Sequence, residues 1–326
     1  MSKLEIPLPD DTPLPPITAP SLEEVPPSFN QERPTPLDAN FISARKRPRA
    51  VVLVYAIELV WALLIAAPVH AWARRVYGAH PDGDAVLWAP GGRELLAWFG
   101  GFDPAFAVTI RTSILLLVIG AVVSQVLTGA LLVSLGTERP GRRAIRARTA
   151  LAEGINLWLP MTCVLIAASA VGLALLTGGI GVGTAIDRSL IPSFGDATAF
   201  KVGLGVAGFG LVLACLAGVY FDLVRAAIAR EATVDRAALT AASRLWSGFK
   251  RAAKVGPKSY FAALREWSWR AVVSFALLGV GWLASSGLGG KGGFAVVALW
   301  LIHQAIVMGR IALRASYFAR TLRIIG

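Results

Sequence analysis

The chain has 326 residues, of which 55% are hydrophobic and only 16% charged, with a formal net charge of +12. An average soluble domain carries roughly 25% charged residues, so an ordinary water-soluble globule is excluded. The positive charge gathers in a few segments beside apolar runs, where it reads as topology and contact with anionic lipid; nucleic acid is not an expected partner.

Residues 1–49 hold eleven of the nineteen prolines, together with Asp10, Asp11, Glu23, Glu24 and Glu32. They show neither helical nor strand periodicity, which predicts a disordered cytoplasmic tail. Its Pro-Leu-Pro-Pro run at 13–16 also admits a polyproline contact with a cytosolic protein. The first 49 residues contain no apolar h-region, so no secretory signal is expected and the first span itself directs insertion.

Six apolar runs follow, at 50–72, 106–135, 155–178, 203–225, 271–288 and 294–317, against the roughly 20 residues that a spanning helix needs. In hydrocarbon each backbone N–H and C=O requires an internal partner, and runs of this length satisfy that as helices. The expected fold is an all-α, polytopic transmembrane bundle of six spans over 50–326. Early in the third run, Pro160 predicts at most a kink.

Orientation follows from loop charge. Arg45, Lys46, Arg47 and Arg49 precede the first span, Arg139, Arg142, Arg143, Arg146 and Arg148 lie in 136–154, and 226–270 adds Arg236, Lys250, Arg251, Lys254 and others. The alternate loops are poorer, so the positive-inside rule predicts both termini in the cytoplasm of a cell with a bacterial-type inner membrane.

The loops differ in character. Within 73–105, Gly91 to Phe99 predicts either a short interfacial helix, with Trp88 and Trp98 at headgroup level, or a loop over the bundle mouth. Glycine-rich 179–202, with Pro192, predicts irregular structure. Between spans four and five, 233–254 places Val234, Ala238, Ala241, Leu245, Phe249 and Ala252 on one helical face, opposite Arg236, Lys250 and Lys254. Thr233 is the expected N-cap and Gly256-Pro257 the stop. The basic segment Arg236, Lys250, Arg251 and Lys254 would face anionic lipid or a cytosolic partner, or simply connect two spans against the bundle. Tyr260, Phe261, Leu264, Trp267 and Trp269 beside Arg265 and Arg270 then predict an interfacial stretch.

The run Tyr220-Phe221-Asp222-Leu223-Val224-Arg225, followed by Ala238-Leu239, Ser243, Leu245 and Gly248, resembles a pattern in bacterial multi-pass proteins. That pattern is similar to the group related to the membrane domain of glycerophosphoryl diester phosphodiesterases. The resemblance covers about 190–326. It implies membrane topology only, because no catalytic domain accompanies it, and it supplies no site residues.

Candidate functional residues are ionisable groups inside spans, which cost roughly 2.5 to 3.5 kcal/mol each at a helix centre and so demand partners. With boundaries near residues 50 and 317, Glu58 lies ~12 Å deep and Arg310 ~10 Å, while Asp222 and Arg314 lie ~5 Å in. Arg310 and Arg314 share a face, and His303, seven residues before Arg310, continues it. The expectation is a polar stripe that faces the interior, with Glu58 paired to Arg310 and Asp222 near the cytoplasmic end. It either fixes helix register or, with Gln125 and Gln304, lines a path for a solute or proton. Gly203, Gly205, Gly208, Gly210, Gly279 and Gly281 are expected to permit close helix approach.

Cys163 and Cys215 fall inside spans, and His70, His80 and His303 are scattered without carboxylates at ligand spacing. No metal, cofactor or catalytic residue is expected. A membrane scaffold or accessory subunit ranks first, a small-solute permease using the polar stripe second, and a membrane-embedded enzyme third.

Overall fold

The structure is a computed structural model that describes residues 35–36, 42–78, 104–138, 145–234, 240–288, 291 and 293–325. Among them are eight α-helices: α1 (Pro48–Tyr77), α2 (Pro104–Gly136), α3 (Ala147–Asn156), α4 (Trp158–Phe194), α5 (Asp196–Val234), α6 (Ala241–Ala253), α7 (Pro257–Leu288) and α8 (Phe294–Ile325). A 3-10 turn at Ala44–Lys46 precedes α1, and a two-rung antiparallel bridge joins β1 (Thr35–Pro36) to β2 (Thr137–Glu138). Six helices, α1, α2, α4, α5, α7 and α8, are long and apolar enough to cross a membrane. The chain is an all-α multi-pass membrane protein.

The third run is kinked at Leu157, as Pro160 leads one to expect: the proline ring would press on the Asn156 carbonyl, so α3 and α4 are divided there, yet Leu157 keeps helical angles, its N–H donates to Glu153 O at 3.0 Å and its carbonyl accepts from Met161 N–H at 3.0 Å. Several boundaries differ from expectation, each for a local reason. The segment 179–202 is helical instead of irregular. Pro192 sits inside the last turns of α4, and the reversal needs only Gly195, whose φ of 73° and ψ of 160° suit a residue without Cβ. Asp196 then opens α5 at the positive end of its dipole. The amphipathic helix α6 begins later than expected, with Thr240 rather than Thr233 accepting the capping N–H, from Ser243. The stretch 259–269 and the fifth span form one helix, α7, which Pro257 opens at N1.

Within the expected tail, Ile42 and Arg47 pack against the bundle on either side of the 3-10 turn. Ile42 is fully buried, and Arg323 of α8 donates from Nε (2.7 Å) and Nη2 to its carbonyl. Arg47 is buried and donates to Thr137 O at 3.1 Å. Residues 1–34, the interfacial segment at 91–99 and Arg139, Arg142, Arg143 and Arg236 lie outside the described residues.

These ties bring the start of α1 and the ends of α2 and α8 to one end of the bundle, the basic end. There the core is densest: Leu132 and Leu135 of α2, Met161 and Val164 of α4, Leu223 and Ile228 of α5, and Phe318 and Leu322 of α8 are all fully or almost fully buried. Lipid tails are as apolar as leucine, so dispersion at close contact, not expulsion of water, holds these helices together. Away from the basic end the spans pair within hairpins. Trp61 of α1 donates to Leu116 O of α2 at 3.3 Å, and the Trp72 and Phe106 rings meet at a tilt of 48° with centroids 4.9 Å apart. Gly179 and Gly183 on one face of α4 meet Gly210 and Gly203 on one face of α5, so closely that a Cβ at Gly210 would stand 2.9 Å from the Gly179 Cα. Gly281 of α7 receives His303 and Ile306 of α8. Gly205, Gly208 and Gly279, expected in contacts, instead face open space.

Candidate functional site

Charged side chains of α1, α5, α7 and α8 line a groove of about 520 Å³. Helix α8 forms its floor with Arg310, Arg314 and Tyr317; Glu58 of α1 and Asp222 of α5 enter from one side, Arg270 and Ser274 of α7 from the other. Its lining along α8 runs from Val307 to Phe318, a length of roughly 17 Å, about half of a ~30 Å hydrocarbon core.

The predicted pairing is corrected. Glu58 faces Arg314 Nη1 at 3.9 Å, not Arg310, whose Nε donates to Ser274 Oγ of α7 at 2.9 Å. Two features explain the exchange. First, α8 continues to Ile325 instead of ending near residue 317. Counted from the helix ends, Glu58 and Arg314 then stand at ~15 and ~16 Å, while Arg310 stands at ~22 Å. Second, positions four apart are offset by about 40° around a helix, so Arg314 leans towards α1 and α2, where it also donates to Thr128 Oγ1 at 3.2 Å, and Arg310 leans towards α7.

Asp222 lines the groove but is held within its own helix by Arg225 at 2.6 Å. His303 lies outside it, with its Nε2 3.2 Å from Ser285 Oγ at the α7–α8 contact. Gln304 accepts from the Tyr55 hydroxyl at 2.8 Å, tying α1 to α8, and Gln125 donates to Ala121 O and Ser124 Oγ of its own helix. The stripe on α8 is therefore divided among different neighbouring helices.

Residues absent from the expected cluster complete it. Arg270 bonds Glu266 at 2.6 Å and Ser316 Oγ at 2.7 Å, and Arg320 approaches Glu266 at 3.8 Å, so one carboxylate on α7 serves two arginines. The spacings of Glu266–Arg270 and Asp222–Arg225 announce these pairs in the sequence; Ser274 carries no such signal, because only the α7–α8 packing places it beside Arg310. Once the short pairs neutralise one another, Arg310 has a neutral hydroxyl for its partner, and Arg314 shares a half-exposed contact with Glu58. Chemically the groove brings three guanidinium groups, two carboxylates and hydroxyls into one recess, an arrangement that joins helices.

On α6 the basic residues take separate roles. Lys250 lies over the exposed Trp246 ring at 5.3 Å, Lys254 is exposed at the C-cap, and Arg251 donates to Ile325 O at 3.3 Å, closing the C-terminal end of α8. The apolar face of α6 packs on α5: Phe249 meets Tyr220 and Phe221, and Gly248 admits Ile228. Of the reading in which this segment faces lipid, Lys250 and Lys254 remain at the surface, whereas Arg251 is a packing contact. Comparison with family models, with curated proteins and with solved structures finds no match for this chain, so the six-span membrane architecture is the level at which its geometry classifies it.

Proposed function

We propose that this protein is a non-enzymatic scaffold or accessory subunit of a bacterial-type inner membrane, with both termini cytoplasmic. The observation that carries the reading is the α4–α5 hairpin. Its helices have 37 and 39 residues, hence ~55 and ~58 Å at helical rise, and they outreach the ~40–45 Å of a whole bilayer with its headgroups. Asp187, Arg188, Asp196 and Lys201 mark the far part as lying beyond hydrocarbon, yet Phe194 and Phe200 beside them are 63% and 61% exposed. Apolar surface facing lipid costs nothing; the same surface facing water is unfavourable and marks a place for a protein partner. A glycine seam keeps the hairpin rigid enough to present it.

The permease reading has the polar groove in its favour, but that groove spans about half the membrane and stops short of His303. The likeness of 190–326 to the phosphodiesterase membrane-domain group would add topology and no activity.

A photo-crosslinking residue at position 194 in intact membranes tests the scaffold reading against one at Val212, an exposed position facing lipid. A discrete protein adduct from 194 and only lipid adducts from 212 are expected. Lipid adducts alone from both positions would remove the basis of the proposal.

A further inference from the structure

A second cavity, of about 730 Å³, opens at the basic end between the start of α1, the last turns of α2, and α3. Its walls are apolar, built from Leu53 and Val54, Leu127 and Leu131, and Ile145 and Leu151. Alanines explain the space: Ala50, Ala130, Ala147 and Ala150 stand where larger side chains would close it. Gly154 meanwhile clamps the far end of α3 to α2, since a Cβ there would fall on the Val126 carbonyl. The volume lies in the about 300–1,000 Å³ range of small-molecule sites.

Three arginines rim this slot, Arg47, Arg49 and Arg146, and among the described lining residues there is no carboxylate. Arg47 is anchored by its bond to Thr137 O, and Arg49 and Arg146 are exposed. All three sit at helix starts, Arg47 and Arg49 flanking the first residue of α1 and Arg146 at the N-cap of α3. They therefore stand where the spans leave hydrocarbon, at headgroup level, with the apolar slot running inward beneath them.

We propose that this cavity is a binding site for an anionic glycerophospholipid, its phosphate held between the exposed Arg49 and Arg146 and an acyl chain lying in the slot between α1 and α2. Guanidinium forks match phosphate oxygens in bidentate geometry. A free phosphate would satisfy the same arginines but would leave the apolar slot unfilled, and a zwitterionic lipid would fill the slot while bringing a cation to the rim. The site is distinct from the polar groove and from α6, and does not depend on the scaffold reading.

The test uses the full-length protein purified in mild detergent. Lipid retention is read by native mass spectrometry, and apparent affinity by the shift of the thermal midpoint on titration with phosphatidylglycerol, phosphatidylcholine or inorganic phosphate. Phosphatidylglycerol is expected to be retained and to stabilise, and the other two are not. Arg49→Gln with Arg146→Gln should weaken phosphatidylglycerol binding by roughly tenfold or more, as expected for two headgroup charges. Ala147→Leu, which fills the slot from an exposed position and keeps the arginines, should reduce retention independently. Lys250→Gln with Lys254→Gln on α6 should leave it unchanged. Equal binding of phosphatidylcholine, an equal shift from phosphate, or wild-type retention by both cavity variants would each overturn the proposal, as would loss of retention in the α6 variant alone.

Discussion

Gly183→Ala isolates what holds the projecting hairpin together. A Cβ at this position would stand 2.5 Å from the Gly203 carbonyl oxygen, about 0.9 Å short of the 3.4 Å at which ordinary contact begins. The obstacle is backbone, so no rotamer change relieves it, and α4 must move away from α5. A gap of 0.5–1 Å forfeits about a quarter to a half of the dispersion energy of each contact along the seam. No expulsion of water compensates for this in lipid. Overpacking of this kind costs about 1–3 kcal/mol. Gly205→Ala and Gly208→Ala supply internal controls: both positions face open space, and replacing glycine within a helix is favourable by up to ~1 kcal/mol. The seam variant and the controls should therefore move stability in opposite directions. The assay is the apparent thermal midpoint of the purified protein at one scan rate in one detergent, since unfolding of such a protein is judged kinetically. At roughly 2–4 °C per kcal/mol, Gly183→Ala should fall several degrees below Gly205→Ala. Midpoints that coincide would refute the claim that backbone contact at this seam carries the hairpin.

Three further outcomes follow from particular contacts. Glu58→Arg should lower the midpoint, and Arg314→Glu should restore part of the loss where Arg310→Glu does not; the pair lies within the spans, where an unpartnered charge costs roughly 2.5 to 3.5 kcal/mol at a helix centre, and equal rescue by Arg310→Glu would reinstate the other pairing. Gly154→Ala should lift α3 from α2, because its Cβ would meet the Val126 carbonyl and the Ala130 nitrogen at 2.9 Å; the expected cost is ~2 kcal/mol, read as lost hydrogen-exchange protection over 147–156, and unchanged protection would count against it. Lys254→Cys should resist an impermeant maleimide in intact cells and react in inverted vesicles, which tests the cytoplasmic placement of the basic end; labelling in intact cells would reverse the orientation.

Much of the groove was legible from residue type alone. Glu58, Asp222, Arg310 and Arg314 are conspicuous because charge in an apolar run demands a partner, and all four line one recess. Their partners were not legible. Helical rise matched Glu58 to Arg310 only while α8 was taken to end near residue 317, and a few residues of extra helix hand the carboxylate to Arg314. Gly203, Gly205, Gly208 and Gly210 carry the same message in a sequence, but two face a neighbouring backbone and two face open space.

Taken by itself, the sequence determined that this protein is a helical membrane bundle, how many spans it has, and which ends of them are basic. These properties depend on the local balance between apolar length and charge, which any stretch of chain settles with the surrounding lipid. Tertiary structure decided which polar residues meet, that 179–202 continues as paired helices to a single turn at Gly195, and where the polar groove and the arginine-rimmed cavity open between the helices. Those outcomes depend on helix azimuth and relative height, and close contact between distant segments selects them only once the helices have packed.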